Sequence, residues 1–312
     1  MSLRTTSVRL VDSWDAKRPA RAGDRSVDRP ITPEDASLPR SIFGYDVVSK
    51  LGEGAASKIY VVTDSSNQLY ALKHVIRQTE KHDRYIEQLV NEFEVGKMFR
   101  HPALRRVVDL KLNRRMLSKP TEAALILELI DGTPLDDKPP ASMASFFNLM
   151  RQAAVALAAM HYQRIIHCDV KPHNMLRCTD DTLKIFDFGQ ACLVGTVKPR
   201  VQGTPDYIAP EQVKCKPVDY RTDIYNFGAT MYWGLTGRRV PTYITVEKTE
   251  RHIVKKQQFP SPRDLNPGVT LDLSDFVMRC LRYYPEERPD TMVEVLKTLE
   301  QCEQEALSHQ PA

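Results

Sequence analysis

Residues 167–174 read HCDVKPHN, and residues 183–189 read LKIFDFG. Within these two runs, two carboxylates, an amide and a lysine stand beside apolar residues that favour β structure. A carboxylate base, oxygen ligands for a metal ion and a cation for phosphate are the groups that phosphoryl transfer requires. The two runs therefore predict a single cleft in which such groups meet.

The order and spacing of the two runs closely resemble the catalytic and metal-binding loops of eukaryotic-type serine/threonine protein kinases, with Cys168 where most members carry Arg. Either run alone would be weak evidence, because short motifs also occur by chance. The resemblance covers residues 43–305 and implies an α+β, two-lobed protein kinase fold. The small β-rich N-lobe is expected at residues 43–131, and the larger, mainly helical C-lobe with a short C-terminal tail at 132–312.

The composition is that of an ordinary globular protein, with 42% apolar and 27% charged residues. The net charge of +4 is spread along the chain, so nucleic acid is not an expected partner. The six cysteines are far apart and form no Cys-x-x-Cys pair; we predict reduced thiols rather than a zinc site or a disulfide framework. With no signal-peptide pattern and no apolar run longer than residues 153–160, we expect no membrane span and a cytoplasmic location.

Residues 1–42 are predicted to be a flexible N-terminal extension. The first 40 residues are rich in charge and proline, have Trp14 as their single aromatic residue and show no sustained helical or strand period. Such a segment cannot bury enough surface to offset the entropy lost on ordering. A docking or autoinhibitory arm that meets a regulatory partner is the alternative.

Two β-like runs enclose a glycine turn at residues 52–59, which read GEGAASKI. The turn resembles the kinase loop Gly-x-Gly-x-x-Gly-x-Val, whose backbone N–H groups approach the ATP phosphates, although Ser57 replaces the third glycine and Ile59 the valine. Taken alone, it would more often be a plain hairpin. The resemblance implies that ATP is bound through Leu51, Gly52, Gly54, Ser57, Ile59, Ala71, Lys73, Glu92, Glu128, Ile130 and Leu176. Lys73 would contact the α- and β-phosphates, and Leu127 would be the gatekeeper of the adenine pocket.

Residues 84–99 have the spacing of an amphipathic helix, which the resemblance identifies as the mobile αC helix. Glu92 matches the position that pairs with the strand lysine. One turn later, Gly96 replaces the bulky apolar residue that usually stacks on the Phe of Asp-Phe-Gly. We therefore expect a loosely held helix whose closure requires nucleotide, a regulatory partner or the N-terminal extension. The alternative is that Met98 or Phe99 fills the gap.

The resemblance also assigns roles in the reaction. Asp169 would accept or orient the proton of the substrate hydroxyl, and Lys171 would neutralise the γ-phosphate during transfer. Asn174 and Asp187 would hold Mg²⁺, which prefers hard oxygen ligands. Thr204 would bind the catalytic Asp and Lys and help to shape a peptide site, so the expected substrates are proteins with Ser or Thr acceptors.

Three further residues are expected to brace the site. Glu211, in Ala-Pro-Glu, needs a buried cation, and the family supplies one at the position of Arg288. Asp223 resembles the helix-start Asp that binds the backbone of the catalytic loop.

Cys168 takes the position of the Arg that in many kinases binds a phosphate on the activation loop. The usual acceptor position falls near Arg200, and Thr196 is the single hydroxyl residue between Gly189 and Gly203. The residue that would bind the phosphate and the residue that would accept it are both missing. We therefore expect activity without activation-loop phosphorylation. A redox role for Cys168 is a weaker alternative, since small buried thiols are often inert.

Two rival interpretations stay open. Ser57, Gly96 and Cys168 suggest a pseudokinase scaffold, although none of them removes a group that touches phosphate or metal. A small-molecule kinase of related fold fits poorly with Thr204 and Ala-Pro-Glu, which belong to a peptide-binding segment.

Overall fold

The computed structural model describes residues 38–54, 56–114, 118–241, 244–246, 251–253 and 259–308. The backbone forms two compact units. Of the described residues, the first unit contains those up to Ile86 together with those of Asp109–Leu129, and the second contains Glu87–Val108 together with those from Ile130 onward. The first is rich in strands and the second is mainly helical, which confirms the predicted fold class.

The strands are β1 Ser41–Ile42, β2 Tyr45–Glu53, β3 Lys58–Thr63, β4 Leu69–Ile76, β5 Val107–Asn113, β6 Glu122–Glu128, β7 Gly132–Pro134, β8 Ile165–Ile166, β9 Met175–Cys178, β10 Leu183–Ile185, β11 Cys192–Leu193, β12 Ile244–Val246 and β13 Arg251–Ile253. The helices are α1 Asp83–Gly96, α2 Met143–Tyr162, α3 Pro210–Val213, α4 Tyr220–Thr236, α5 Pro262–Leu265, α6 Leu271–Cys280 and α7 Met292–Ser308.

The unit boundaries differ from the predicted lobes in two places. Residues 87–108, which include most of α1, group with the second unit, and the second boundary between the units falls after Leu129 instead of after residue 131. Ser41 and Ile42, which were expected in the flexible extension, form the edge strand β1 and pair with β2. Residues 1–37 of the predicted extension lie outside the described residues.

One sheet has six strands in the order β1-β2-β3-β4-β6-β5. Its centre is strongly apolar, and in β6 the side chains from Ala123 to Leu127 are all buried. Strands that are covered on both faces read as continuous apolar runs instead of alternating ones. The remaining described strands form small antiparallel ladders: β7-β9-β10, β8-β11 and β12-β13.

The core of the second unit is built around α2. Ser142 caps this helix by accepting a hydrogen bond from the backbone N–H of Ser145, as N-cap serines do. Among the described residues, α2 is the one helix with the length and apolar composition of a membrane span. Most of its phenylalanine, leucine, methionine and alanine side chains lie in the buried core, where they meet residues of β10, α4 and α7. Core packing accounts for its apolar composition.

Gly96 ends α1 where Val107, at the start of β5, approaches the helix closely. A Cβ atom at Gly96 would lie 2.5 Å from Cγ1 and 2.9 Å from Cγ2 of Val107. Val107 therefore takes the space that a larger residue at position 96 would need. The expectation of an unfilled position beside this glycine is wrong: the glycine permits a close contact between helix and strand.

We expect Gly96→Ala to lower the free energy of unfolding. Overpacking against Val107 costs about 1–3 kcal/mol, which outweighs the advantage of about 1 kcal/mol that Ala has over Gly in a helix. Denaturant unfolding of the single variant tests this. In a Val107→Ala background the same change should become neutral or stabilising, and equal destabilisation in both backgrounds would contradict the packing explanation.

Candidate active site

In the first unit, the strand register gathers the predicted nucleotide contacts on one face of the sheet. Ile59 lies opposite Lys73, and Ala71 lies opposite Leu127. Because residues two apart in a strand share a face, Ala71 and Lys73 point the same way, together with Ile59 and Leu127. Glu128, the next residue of β6, points to the opposite face. The register thus brings the predicted lysine and gatekeeper to one surface.

The glycine turn joins β2 to β3. Leu51 and Gly52 belong to β2, and Gly52 lies opposite Ile59 beside a register shift in the ladder. Beyond them, the N–H of Gly54 donates to the carbonyl of Ser57 at 2.7 Å. A Cβ atom at Gly54 would lie 3.1 Å from Ser57 Oγ, which is a tight contact. Ser57 therefore closes the turn from the position of the third family glycine.

In the second unit, the carboxylate of Asp169 is buried and surrounded by donors. It is 6% exposed. Its Oδ2 lies 3.1 Å from Lys171 Nζ and accepts from Asn174 Nδ2 at 3.1 Å, while its Oδ1 accepts from Thr204 Oγ1 at 3.1 Å. Lys171 Nζ also donates to Thr204 Oγ1 at 2.6 Å. The three predicted catalytic residues form one connected cluster.

A second buried carboxylate fixes the backbone of this loop. Asp223, fully buried in the first turn of α4, accepts from the backbone N–H groups of His167 and Cys168, each at 2.8 Å. His161 Nε2 lies 2.9 Å from the same carboxylate. The predicted bracing role of Asp223 is confirmed. Helix α4 begins at Tyr220, three residues before Asp223. Its N-cap is Asp219, which accepts from the N–H of Arg221.

The two predicted metal ligands stand at adjoining ends of β9 and β10. Asn174 directly precedes β9, and Asp187 follows β10 by two residues. The Phe186 N–H donates to the Asn174 carbonyl at 3.0 Å, which holds these ends together. Asp187 has a left-handed backbone, with φ of 65°.

The oxygen atoms that Asn174 and Asp187 offer as ligands fit Mg²⁺. An amide and a carboxylate supply hard oxygen atoms, and Mg²⁺ is usually held by one or two carboxylates together with substrate phosphates. The described residues contain no cluster of three or more His, Cys, Asp and Glu side chains that could enclose a metal ion by themselves. Asn174 and Asp187 are therefore the residues that could hold the metal, with the nucleotide completing its coordination.

The activation segment is held against the catalytic loop through Gln212, which sequence reasoning missed. Gln212 Nε2 donates to the Cys168 carbonyl at 2.7 Å, and Gln212 Oε1 accepts from the Ala209 N–H at 3.0 Å. Asn226 of α4 donates to Gln212 Oε1 at 3.0 Å and to the Tyr207 carbonyl at 2.7 Å. Gln212 is 4% exposed, and a buried polar group of this kind needs partners, but its burial is visible only in the structure.

The predicted pairing of Glu211 with Arg288 is confirmed. Arg288 Nη1 and Nη2 donate to Glu211 Oε1 and Oε2 at 2.8 and 3.0 Å. Arg288 is 1% exposed, and its remaining donors reach backbone carbonyls. Thr222 Oγ1 gives Glu211 a further hydrogen bond at 2.8 Å. This buried pair anchors the end of the activation segment to the helical core.

Asn91 was also missed. Its Nδ2 lies 3.1, 3.2 and 2.9 Å from the carbonyl oxygens of Phe188, Gly189 and Ala191. These contacts tie α1 to the start of the activation segment, which is the contact that the expected loosely held helix would lack. The neighbouring Glu92 is buried, at 2% exposure.

The remaining predicted nucleotide contacts belong to different units. Lys73 and Glu128 lie in the first unit, whereas Glu92, Ile130 and Leu176 lie in the second. Leu176 is half-buried in β9, opposite Pro134 of β7. The pairing of Lys73 with Glu92 and the shared adenine pocket stay predictions.

Comparison with known proteins agrees with this geometry. The sequence profile of the protein kinase domain matches residues 45–299, which is well over half of the chain. The chain belongs to the protein kinase family. The resemblance drawn from the two central runs is thus confirmed.

Several similar proteins are kinases by name. A probable serine/threonine-protein kinase of Clostridium acetobutylicum is 27% identical over 266 residues, which cover 82% of this chain and 39% of the relative. Aurora kinase B of Xenopus tropicalis is 29% identical over 265 residues, covering 81% and 70%. A probable myosin light chain kinase of Dictyostelium discoideum is 31% identical over 258 residues, covering 78% and 63%. The alignments span 39% and 42% of the length of two bacterial relatives.

Proposed function

We propose that this protein transfers the γ-phosphoryl group of ATP to Ser and Thr hydroxyls of protein substrates. The observation that carries the proposal is the cluster of Asp169, Lys171 and Thr204, which joins the catalytic loop to the activation segment through direct contacts. The names of the relatives support serine and threonine as acceptors.

In the proposed reaction, the substrate hydroxyl attacks the γ-phosphorus as the bond to the β–γ bridging oxygen breaks. Asp169 orients that hydroxyl and takes up its proton, and its own orientation is set by Thr204 and Asn174. Lys171 places positive charge beside the transferring group, where charge develops in the transition state. Asn174 and Asp187 would hold Mg²⁺, which when bound neutralises phosphate charge.

A labelled-ATP assay with a generic protein substrate tests the function. The wild-type chain should show Mg²⁺-dependent transfer to Ser and Thr, identified by phosphoamino acid analysis, and Asp187→Ala should lose nearly all of it. Asp272→Ala, which removes an exposed carboxylate at the start of α6, is the matched control and should retain full activity. Absence of transfer by the wild-type protein under every condition would favour the scaffold interpretation.

We further propose that activity does not require phosphorylation of the activation loop. At the position of the family Arg, Cys168 packs with Ile166 and Val218 in an apolar cluster that disfavours a phosphate dianion. Other contacts hold the segment: Lys198 Nζ donates to the Gln190 carbonyl at 2.6 Å, and the Gly195 N–H donates to the Val218 carbonyl at 2.8 Å. These contacts support an ordered segment without a phosphate anchor.

Thr196→Ala should therefore transfer phosphate at an initial rate within about twofold of the wild type. Surface substitutions of this kind usually change the free energy of unfolding by no more than about 0.5 kcal/mol. Thr196 donates one hydrogen bond to the Leu193 carbonyl at 2.7 Å and has no part in the catalytic cluster. Steady-state assays of Thr196→Ala and Thr196→Glu check this. A large loss of rate in the Ala variant that Glu restores would contradict it.

Three finer predictions belong to the same proposal. Mg²⁺ is the metal that the oxygen ligands favour. A regulatory partner is expected at α1 or at residues 1–42, and the protein is expected in the cytoplasm.

A further inference from the structure

The catalytic loop and the activation segment each contribute a thiol to one contact. The Sγ atoms of Cys168 and Cys192 lie 3.5 Å apart. In the β8–β11 ladder, Cys192 lies opposite Ile166, and Cys168, two residues beyond Ile166, packs in the same apolar cluster. Because a disulfide bond is about 2.05 Å long, the two sulfur atoms would need to approach by about 1.5 Å.

The two thiols differ in accessibility and in acidity. Cys168 is 2% exposed, whereas Cys192 is half-buried. The hydrogen bond shared with the Cys168 thiol lowers the pKa of Cys192, helped by the charge of Lys198 and the nearby Thr196 hydroxyl, against burial and the charge of Asp223. The same hydrogen bond, followed by burial, raises the pKa of Cys168. Cys192 is therefore the thiol that is more exposed and more readily ionised, which is the profile of a reactive cysteine.

We propose that Cys168 and Cys192 form a reversible intramolecular disulfide when the protein meets a peroxide, and that this bond slows the kinase reaction. The Cys192 thiolate attacks one peroxide oxygen, so that an S–O bond forms, the O–O bond breaks and the first water leaves. The Cys168 sulfur then attacks Cys192; the S–S bond forms, the S–O bond breaks and the second water leaves. Two thiols lose two electrons and two protons, and a dithiol reductant restores them.

The effect on the reaction, which rests on the proposed function, follows from the position of Cys168. Its N–H is held by Asp223 and its carbonyl by Gln212, and Asp169 is the next residue. Pulling the Cys168 side chain toward Cys192 therefore strains the backbone that orients the catalytic carboxylate. Misplacement of about 1 Å in an active site can cost about 100-fold in rate. We expect the disulfide to lower the rate of phosphate transfer at least tenfold.

The experiment treats the full chain with hydrogen peroxide, blocks remaining thiols with N-ethylmaleimide and maps peptides by mass spectrometry without reduction. Wild type and the control Cys215→Ser should yield a crosslinked peptide pair containing residues 168 and 192, which dithiothreitol releases. Cys192→Ser should yield none, and its activity before treatment should match the wild type. Peroxide should slow the wild type at least tenfold, reversibly, and leave Cys192→Ser unaffected.

Two results would overturn the proposal. If Cys192 is oxidised to sulfinic acid with no 168–192 crosslink, the thiols do not form a pair. If the crosslink forms and the rate of transfer is unchanged, the disulfide has no effect on the reaction. The crosslink is measured without ATP, so a protein that pairs its thiols but never transfers phosphate would refute the proposed function and not the disulfide itself.

Discussion

Asp169→Asn should reduce the turnover rate by about 10²–10⁴-fold, the usual contribution of a positioned general base. The amide cannot take up the hydroxyl proton, and its NH₂ group would face the donors Lys171 Nζ and Asn174 Nδ2 at the place where Oδ2 now accepts. The fold should be kept, because Asp223 holds the loop backbone independently. Steady-state kinetics should show the loss in kcat, with KM for ATP changed little.

The matched control is Asp180→Asn in the β9–β10 turn. Asp180 is exposed and hydrogen-bonds locally to Thr182, so its variant should transfer phosphate at the wild-type rate. Circular dichroism and thermal unfolding should be alike for both variants. An Asp169→Asn protein that is folded and retains more than a tenth of the wild-type kcat would show that another group accepts the proton.

Arg288→Met should be the most destabilising of the substitutions considered, by about 3–5 kcal/mol, the range for breaking a buried ion pair. The change removes two donors from Glu211, which is 6% exposed, and leaves its charge buried with the Thr222 hydroxyl. It also removes the guanidinium donors of three backbone carbonyls. The measurement is denaturant unfolding followed by circular dichroism.

Arg279→Met provides the comparison for this pair. Arg279 contacts Glu294 at 2.8 Å, but the two side chains are 48% and 37% exposed. An exposed pair of this kind contributes about 0–1 kcal/mol. Adding Glu211→Met to Arg288→Met should recover part of the lost stability, because the unpaired carboxylate is then gone. Equal losses from Arg288→Met and Arg279→Met would show that burial of the pair is unimportant.

Much of the site could be predicted because its residues lie in short linear motifs. Asp169, Lys171, Asn174 and Asp187 occur within two runs whose spacing is fixed by a turn and a hairpin, and the register of β9 with β10 brings the runs together. The apolar periodicity of residues 84–99 likewise indicated a helix close to the observed α1, Asp83–Gly96. Local patterns of this kind need no knowledge of the tertiary structure.

The features that were missed depend on contacts between distant segments. Cys168 and Cys192 are 24 residues apart, and no spacing rule links them until β8 pairs with β11. Gly96 looked like a lost packing residue because Val107, which approaches it, follows a turn and belongs to another element. Asn91 and Gln212 bind backbone carbonyls, and a sequence does not show where a backbone passes.

Kinase activity without activation-loop phosphorylation is tested most directly by the initial rate of transfer. The protein used is one that mass spectrometry shows to be free of phosphate and disulfide. We predict a linear time course from the first turnovers in the presence of Mg²⁺, ATP and a generic protein substrate, with phosphate appearing on Ser and Thr. A lag that ends as the activation loop becomes phosphorylated would contradict the independence from loop phosphorylation, and no transfer to protein at all would contradict the proposed kinase activity.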